Sequence, residues 1–434
     1  MAGIGKRLAF LSAAAIVALT ATACTGGGTT TVNPAANGVA RQAGHASASP
    51  SPPPPQYVTI TPSSGARHAN PSDGISVSTS KGTLTSVDVS TSGSQVAGTY
   101  SPGKTSWHST WALGVSRSYT VTATASVKGR TDTRTSSFRT LTPSSTFSTE
   151  IINGSGQSYG VGMPILLYFS HKITNRAAVE RTLQITTSRP VVGAWYWDNS
   201  CGTAATCAYF RPRDYWPRGT TVSFTGHLDG VEGAPGVYGH HTLTQTFRIG
   251  ESVIAVGSPK THKTQIYVAG RKRYNWPIST GRPGDDTPNG TYLTIEKENP
   301  VQMTGPGYSL SVPWSVRFTW SGDYYHDAYW SVGQQGFDNV SHGCVNLSPA
   351  HAETYYKMAA PGDPITIWGS PKAGTWDNGW TMWFLSWQQY LKGSALHEAV
   401  EAGPGGSTFV DPATLPASTA KAPLQTSPAN NAAS

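Results

Sequence analysis

Charge is scarce in this sequence. Only 12% of its 434 residues are Asp, Glu, Lys or Arg, about half the share of an ordinary soluble domain. That composition excludes a helical bundle, whose long helices are built from Ala, Leu, Glu, Lys and Arg. Lys and Arg outnumber Asp and Glu by 31 to 23, a formal +8, but no basic block is present, so no nucleic-acid partner is expected. The apolar run over residues 8–19 is too short to span a bilayer. Cysteine is limited to 4 residues, few enough for each to be accounted for. What the chain does have is 47 Gly, 31 Pro, 19 Tyr and 14 Trp. With Thr, Ser and Val, these residues suit short strands joined by turns. The length allows two to four domains, each able to bury a core.

Lys6 and Arg7 precede the apolar run, and Ala21-Thr22-Ala23 leads into Cys24. Charge, apolar stretch and small residues in that order make residues 1–23 a secretory signal. Thr22-Ala23-Cys24 resembles a bacterial lipobox, with Ala21 where such motifs most often have Leu. The resemblance implies lipid attachment at Cys24 and a location on the outer face of the cell membrane. Removing residues 1–23 takes away two positive charges, 8 − 2 = +6. Cys201 and Cys207 flank a Gly/Ala/Thr loop, which a disulfide can staple in an exported protein. Cys344 is then the thiol left over, and it needs a reason to be there.

Residues 24–56 are rich in Thr, Gly, Ser and Ala and end in Pro52-Pro53-Pro54-Pro55. This is a tether, flexible at first and stiffened by polyproline conformation at its end. Over 57–143, apolar residues alternate with Thr and Ser, clearest at Tyr119, Val121, Ala123, Ala125 and Val127. Period two describes half-buried strands, and several at short spacing describe a β-sandwich. Residues 144–250 repeat the pattern, with buried strands expected over 164–169, 193–197 and 221–224. Residues 251–369 form a third block with strands near 254–256 and 265–268. In it, Ser348 caps and Pro349 opens a short helix, turning Ala352, Tyr355, Tyr356 and Ala359 inward. Trp376, Trp380, Trp383 and Trp387 are spaced four, three and four. That spacing places them on one face of a helical cap over 370–402, docked on the third block. Residues 403–434 read as a disordered Ala/Ser/Pro/Thr tail.

Chemistry is concentrated in Ser341-His342-Gly343-Cys344-Val345-Asn346. A nucleophilic Cys needs a base, backbone N–H groups for the oxyanion, and a small neighbour that lets the carbonyl approach. Gly343 is that neighbour. His326 lies 18 residues upstream of Cys344, a spacing that lets adjacent strands join imidazole and thiol, and His342 at minus two would share its face in extended chain. Composition does not choose between these histidines. A buried structural Cys is the bland alternative. Zinc is another, but only Asp327 is at hand as a fourth ligand and the spacing matches no zinc motif, so no metal or cofactor is expected.

His326, then Trp330-Ser331-Val332-Gly333, then Ser341-His342-Gly343-Cys344-Val345-Asn346, resembles the signature of the L,D-transpeptidase (YkuD-type) catalytic domain. Thr287-Pro288-Asn289-Gly290 matches an upstream motif of that family, and the Trp195-Tyr196-Trp197 and Tyr215-Trp216-Pro217 segments resemble the immunoglobulin-like domains that precede it. The resemblance implies a mainly β chain: two immunoglobulin-like β-sandwich domains, then a catalytic β-sandwich with a short helix and a Trp-rich cap. It implies Cys344 as nucleophile and His326 as general base, oriented by the Asp327 carbonyl, with Asp327 standing where many members have Gly. The N–H groups of His342, Gly343 and Cys344 would form the oxyanion hole. Tyr308 would lie on a lid over the donor, with Trp330, Ser331, Ser341 and Asn346 shaping the pocket. The implied partners are donor and acceptor stem tetrapeptides of peptidoglycan, with carbapenems as covalent inhibitors.

Overall fold

The computed structural model describes residues 56–418, apart from Gly93 and Pro306. The signal, Cys24 and nearly all of the tether therefore lie outside the described residues, as does the chain from 419 onward.

The alternation over Ser118–Val127 builds the first sandwich. Tyr119, Val121, Ala123 and Ala125 are buried, joined by Val77 and Trp107 from the facing sheet. The intervening Thr120, Thr122 and Thr124 pair with Ser137, Thr135 and Thr133 on the adjacent strand Arg130–Arg139. These cross-strand hydroxyl pairs hold the polar face in register.

In the second sandwich, strands Ile165–Phe169, Thr206–Pro212 and Val191–Asp198 lie side by side. They face a sheet containing Leu183–Thr187, Thr221–Gly226 and Leu243–Ile249. Trp195, Phe210, Trp216, Phe224 and Phe247 fill the space between. Cys201 and Cys207 are disulfide-bonded, closing the loop that joins two of these strands.

Three expectations are corrected in the C-terminal part. The Trp residues do not share a helix: Trp383 lies in a single turn at Met382–Phe384 and Trp387 opens the short helix Trp387–Leu391. The chain breaks at Gly379, whose φ of +130° is open to glycine. The cap packs chiefly on the second sandwich. Trp383 Nε1–H donates to Gly162 O, Tyr390 O–H to Tyr209 O, and Arg211 lies between the Trp383 and Tyr390 rings. Phe384 makes the reverse contact, edge-on to Tyr292 of the third block. The described part of the expected tail is ordered as well. Ala399–Gly403 pairs with Val191–Asp198, and Gly406–Val410 closes a hairpin on it, adding two strands to the second sandwich.

The third block is itself a sandwich. Its five-stranded sheet runs Arg271–Pro277, Lys263–Val268, Val253–Ser258, Pro364–Ile367 and Gly290–Leu293. The second sheet runs Glu296–Glu298, Ser315–Arg317, Tyr324–Asp327 and Val345–Leu347. Val253 and Ala255 face its core, while Ile254 and Val256 on the same strand face the core of the second sandwich. Both faces of this strand are thus buried, which welds the two domains. The helix Pro349–Met358 starts where Ser348 Oγ accepts from His351 N–H, and it buries Ala352 and Tyr355.

Candidate active site

Strand pairing brings the distant residues together. Tyr324–Asp327 and Val345–Leu347 are parallel neighbours with His326 opposite Asn346. Continuing that register places Cys344 beside Tyr324, and Cys344, two residues before Asn346, projects to the same side. The sulfur is held by the segment before His326: Cys344 Sγ–H donates to Gly322 O at 3.6 Å. No hydrogen bond joins sulfur and imidazole among the described residues.

His326 Nδ1 lies 2.6 Å from Asp327 O. A carbonyl can only accept, so Nδ1 carries the proton and Nε2 keeps its lone pair. Burial pushes His326 down to about 4, against the upward pull of that hydrogen bond. Burial, reinforced by the nearby Asp323 charge, pushes the Cys344 thiol up to about 12. Near neutrality the pair is therefore a thiol and a neutral imidazole, set for proton transfer when a substrate arrives. The Asp327 side chain is buried, and burial raises its carboxyl above the usual range against a hydrogen bond from Tyr329 N–H. Its backbone carbonyl, which any residue could supply, is what touches His326.

The nucleophile loop is tied at both ends. Ser341 Oγ donates to Cys344 O at 2.6 Å and accepts from Gly343 N–H at 3.2 Å. Thr287 Oγ1 donates to Gly343 O at 2.6 Å and accepts from Gly281 N–H. The Gly343 amide, expected in the oxyanion hole, donates to Ser341 Oγ in this structure. The N–H groups of His342 and Cys344 have no acceptor among the described residues and can serve a developing oxyanion. Gly343 has φ +130°, and a Cβ there would lie 2.4 Å from Asp323 Oδ1. Gly343→Ala should therefore displace the loop and lower the rate of acylation of Cys344 at least tenfold. Strain at such a position costs about 1–3 kcal/mol, so its melting temperature should fall modestly.

Cys344 and His326 open on a cavity of about 350 Å³ that Tyr308, Trp330, Ser331, Ser341, His342 and Asn346 also line. The lid is the hairpin of Val301–Gly305 and Tyr308–Val312, and the Tyr308 ring stacks on His342 at 5.0 Å. His342 thus faces the lid and is exposed, whereas His326 is buried with its Nδ1 bound to Asp327 O. Trp330 stacks over His326 at 5.9 Å while remaining half exposed to the cleft. Asn346 Nδ2–H donates to Ser331 Oγ, so these two buried residues brace each other at the floor. Sequence reasoning assigned no role to Gly322 or Asp323 and quoted Thr287 only within a motif. The crowding of Gly343 against Asp323 is a tertiary contact that no spacing announces. Among the described residues, no group of three or more His, Cys, Asp or Glu could hold a metal ion.

The family model of the L,D-transpeptidase catalytic domain matches residues 251–367, and that of the bacterial Ig domain matches residues 66–232, across both N-terminal sandwiches. L,D-transpeptidase 2 of Mycobacterium tuberculosis is 33% identical over 328 residues, covering 71% of this chain and 79% of the relative. L,D-transpeptidase 5 of the same species is 32% identical over 351 residues, covering 78% and 77%. Among solved structures, an L,D-transpeptidase from Mycobacterium smegmatis is 33% identical, covering 51% of this chain and 100% of that one, with a TM-score of 0.41.

Proposed function

Since the chain belongs to the L,D-transpeptidase family, we propose that Cys344 carries its peptidoglycan crosslinking activity through a thioester acyl-enzyme. The observation that bears this reading is the pairing in one cleft of a thiol with an imidazole whose Nε2 lone pair is free. The Cys344 thiol gives its proton to His326 Nε2 as sulfur attacks the carbonyl at the L-centre of the third stem residue, a diaminopimelate. The His342 and Cys344 N–H groups receive the oxyanion. Collapse breaks the amide bond, and His326 returns the proton to the departing D-Ala amine. The side-chain amine of a second diaminopimelate then attacks the thioester. It loses a proton to His326, a new amide forms, the C–S bond breaks and the thiol is restored. Water in place of the amine gives a shortened stem.

Carbapenems present a strained carbonyl to the same sulfur and would remain attached as acyl adducts. Lipid attachment at Cys24 and a working place on the outer face of the membrane complete the proposal. They rest on the export signal and lipobox resemblance at 1–24.

Incubation of the protein with a disaccharide-tetrapeptide tests this reading by product mass. The expected product is a dimer that has lost one D-Ala, and intact-protein mass should show one carbapenem adduct mapping to Cys344. Stems that are cut and never joined would replace it with a hydrolase.

A further inference from the structure

A second cleft, of about 680 Å³, lies between the second sandwich and the cap. Asp198 and residues 200–203 of the disulfide-closed loop form one wall; Trp376, Asp377, Trp380 and Trp320 form the other. Trp320 begins the turn Trp320-Ser321-Gly322, whose last carbonyl accepts from the Cys344 thiol. A ligand resting on Trp320 is therefore two residues along the chain from an atom that touches the nucleophile.

The charge of this cleft runs against that of the molecule. It is lined by two carboxylates and by no Lys or Arg, in a chain of formal charge +8. Asp198 Oδ1 accepts from Ser200 N–H and Oγ–H, and Oδ2 accepts from the Trp376 indole at 2.9 Å. Burial opposes its ionisation, but these hydrogen bonds outweigh burial and hold the carboxyl below the usual range. None of these donors is a cation. Asp377 is exposed and has no ion pair among the described residues. The Trp320 ring, 45% exposed, meets Trp380 edge-on at 6.1 Å. Past Trp320 comes Asp323, whose burial raises its carboxyl above the usual range while the nearby Lys372 pulls it down. Its Oδ2 accepts from Thr319 and Ser321, while Oδ1 faces Gly343 with no hydrogen bond among the described residues.

Aromatic faces beside carboxylates without compensating cations suit a primary ammonium on an aliphatic stem. We propose that this cleft takes up the ammonium-bearing side chain of the acceptor stem peptide, while the lid cavity holds the donor. The proposal rests on the transpeptidase reading above and adds to it where the second substrate binds. The amine is held as ammonium and gives one proton to solvent as it leaves the cleft; the neutral amine then attacks the thioester carbon and loses a second proton to His326. His326 passes that proton to the departing Cys344 sulfur.

The test separates the two half-reactions. The donor is a disaccharide-tetrapeptide with its side-chain amine acetylated, and the acceptor is a disaccharide-tripeptide, which has no D-Ala to lose. D-Ala release without acceptor reports acylation, and dimer formation against acceptor concentration reports the acceptor KM. Asp377→Lys and Trp380→Ala should each raise the acceptor KM roughly 3- to 10-fold. Asp377→Lys should keep D-Ala release within about twofold of wild type and shift product toward hydrolysed tripeptide. Added salt should raise the acceptor KM of wild type more than that of Asp377→Lys. Glu353→Lys, the same charge change on the helix Pro349–Met358, should alter neither parameter. An unchanged acceptor KM in Asp377→Lys, or an equal fall in both half-reactions, overturns the proposal. Wild-type protein that releases no D-Ala would instead refute the transpeptidase reading.

Discussion

His326→Ala should lower the rate of D-Ala release by about 10²–10⁴-fold, the usual contribution of a positioned general base, and Cys344→Ala should abolish it. The electrostatics make this loss large. With the thiol raised to about 12, only about one in 10⁵ is ionised at pH 7 by simple titration, so spontaneous thiolate cannot replace the missing base. The pH profile follows with a definite sign. The base form of His326 is required, and the imidazole is held down to about 4. Acylation by wild type should therefore rise as pH climbs through that region and stay level across neutrality. It should show no further step near the ordinary thiol value of about 8.5. Iodoacetamide should alkylate the resting enzyme slowly at pH 7. Rapid alkylation, or a profile tracking an ordinary thiol, would mean that a preformed thiolate and not base catalysis drives the reaction.

Glu180→Ala should destabilise the folded chain by about 2–5 kcal/mol, the range for stranding buried hydrogen-bond donors and opening a void. Glu180 is 0% exposed. Its Oε2 accepts from the Trp197 indole at 2.6 Å and Ala395 N–H at 2.8 Å, and its Oε1 from Ser394 Oγ–H at 2.6 Å. Truncation strands these donors between the second sandwich and the chain leaving the cap, and opens a void as well. Denaturant unfolding should show a lower midpoint. Burial raises this carboxyl above the usual range, against the hydrogen bonds it accepts. The folded state therefore holds the proton more tightly than the unfolded state. This residue's contribution to stability falls as pH rises from the ordinary Glu value to the raised one, and levels off above it. Glu180→Gln should remove that pH dependence while costing less than Ala. A midpoint unchanged by Glu180→Ala would show that the cap is held chiefly by Arg211 and the Trp rings.

Much of the architecture was legible because it rests on local periodicity. The alternation from Tyr119 to Ala125 became one buried face, and Ser348-Pro349 became a helix start. The spacing of His326 and Cys344 suited neighbouring strands, which is how they lie. The misreadings share a physical cause. The Trp spacing imitated a helix, but these rings are placed by partners far away in sequence, such as Gly162 O and Asp198. Averaged composition beyond residue 402 hid the short apolar segment Phe409-Val410, which pairs with Val400 and Ala399 across a Gly-rich turn.

By itself, the sequence determined the residue types that can do the chemistry and the sandwich class, since both depend on identity and spacing along the chain. Only the tertiary structure shows what each histidine ring touches: Asp327 O beside His326, and the Tyr308 ring against His342. It also decided that the Gly343 amide is occupied, and that a single strand with Ile254 and Val256 on one side and Val253 and Ala255 on the other serves two cores. Those outcomes arise from burial and contacts between segments far apart in the chain, which act only once the backbone has brought the partners together.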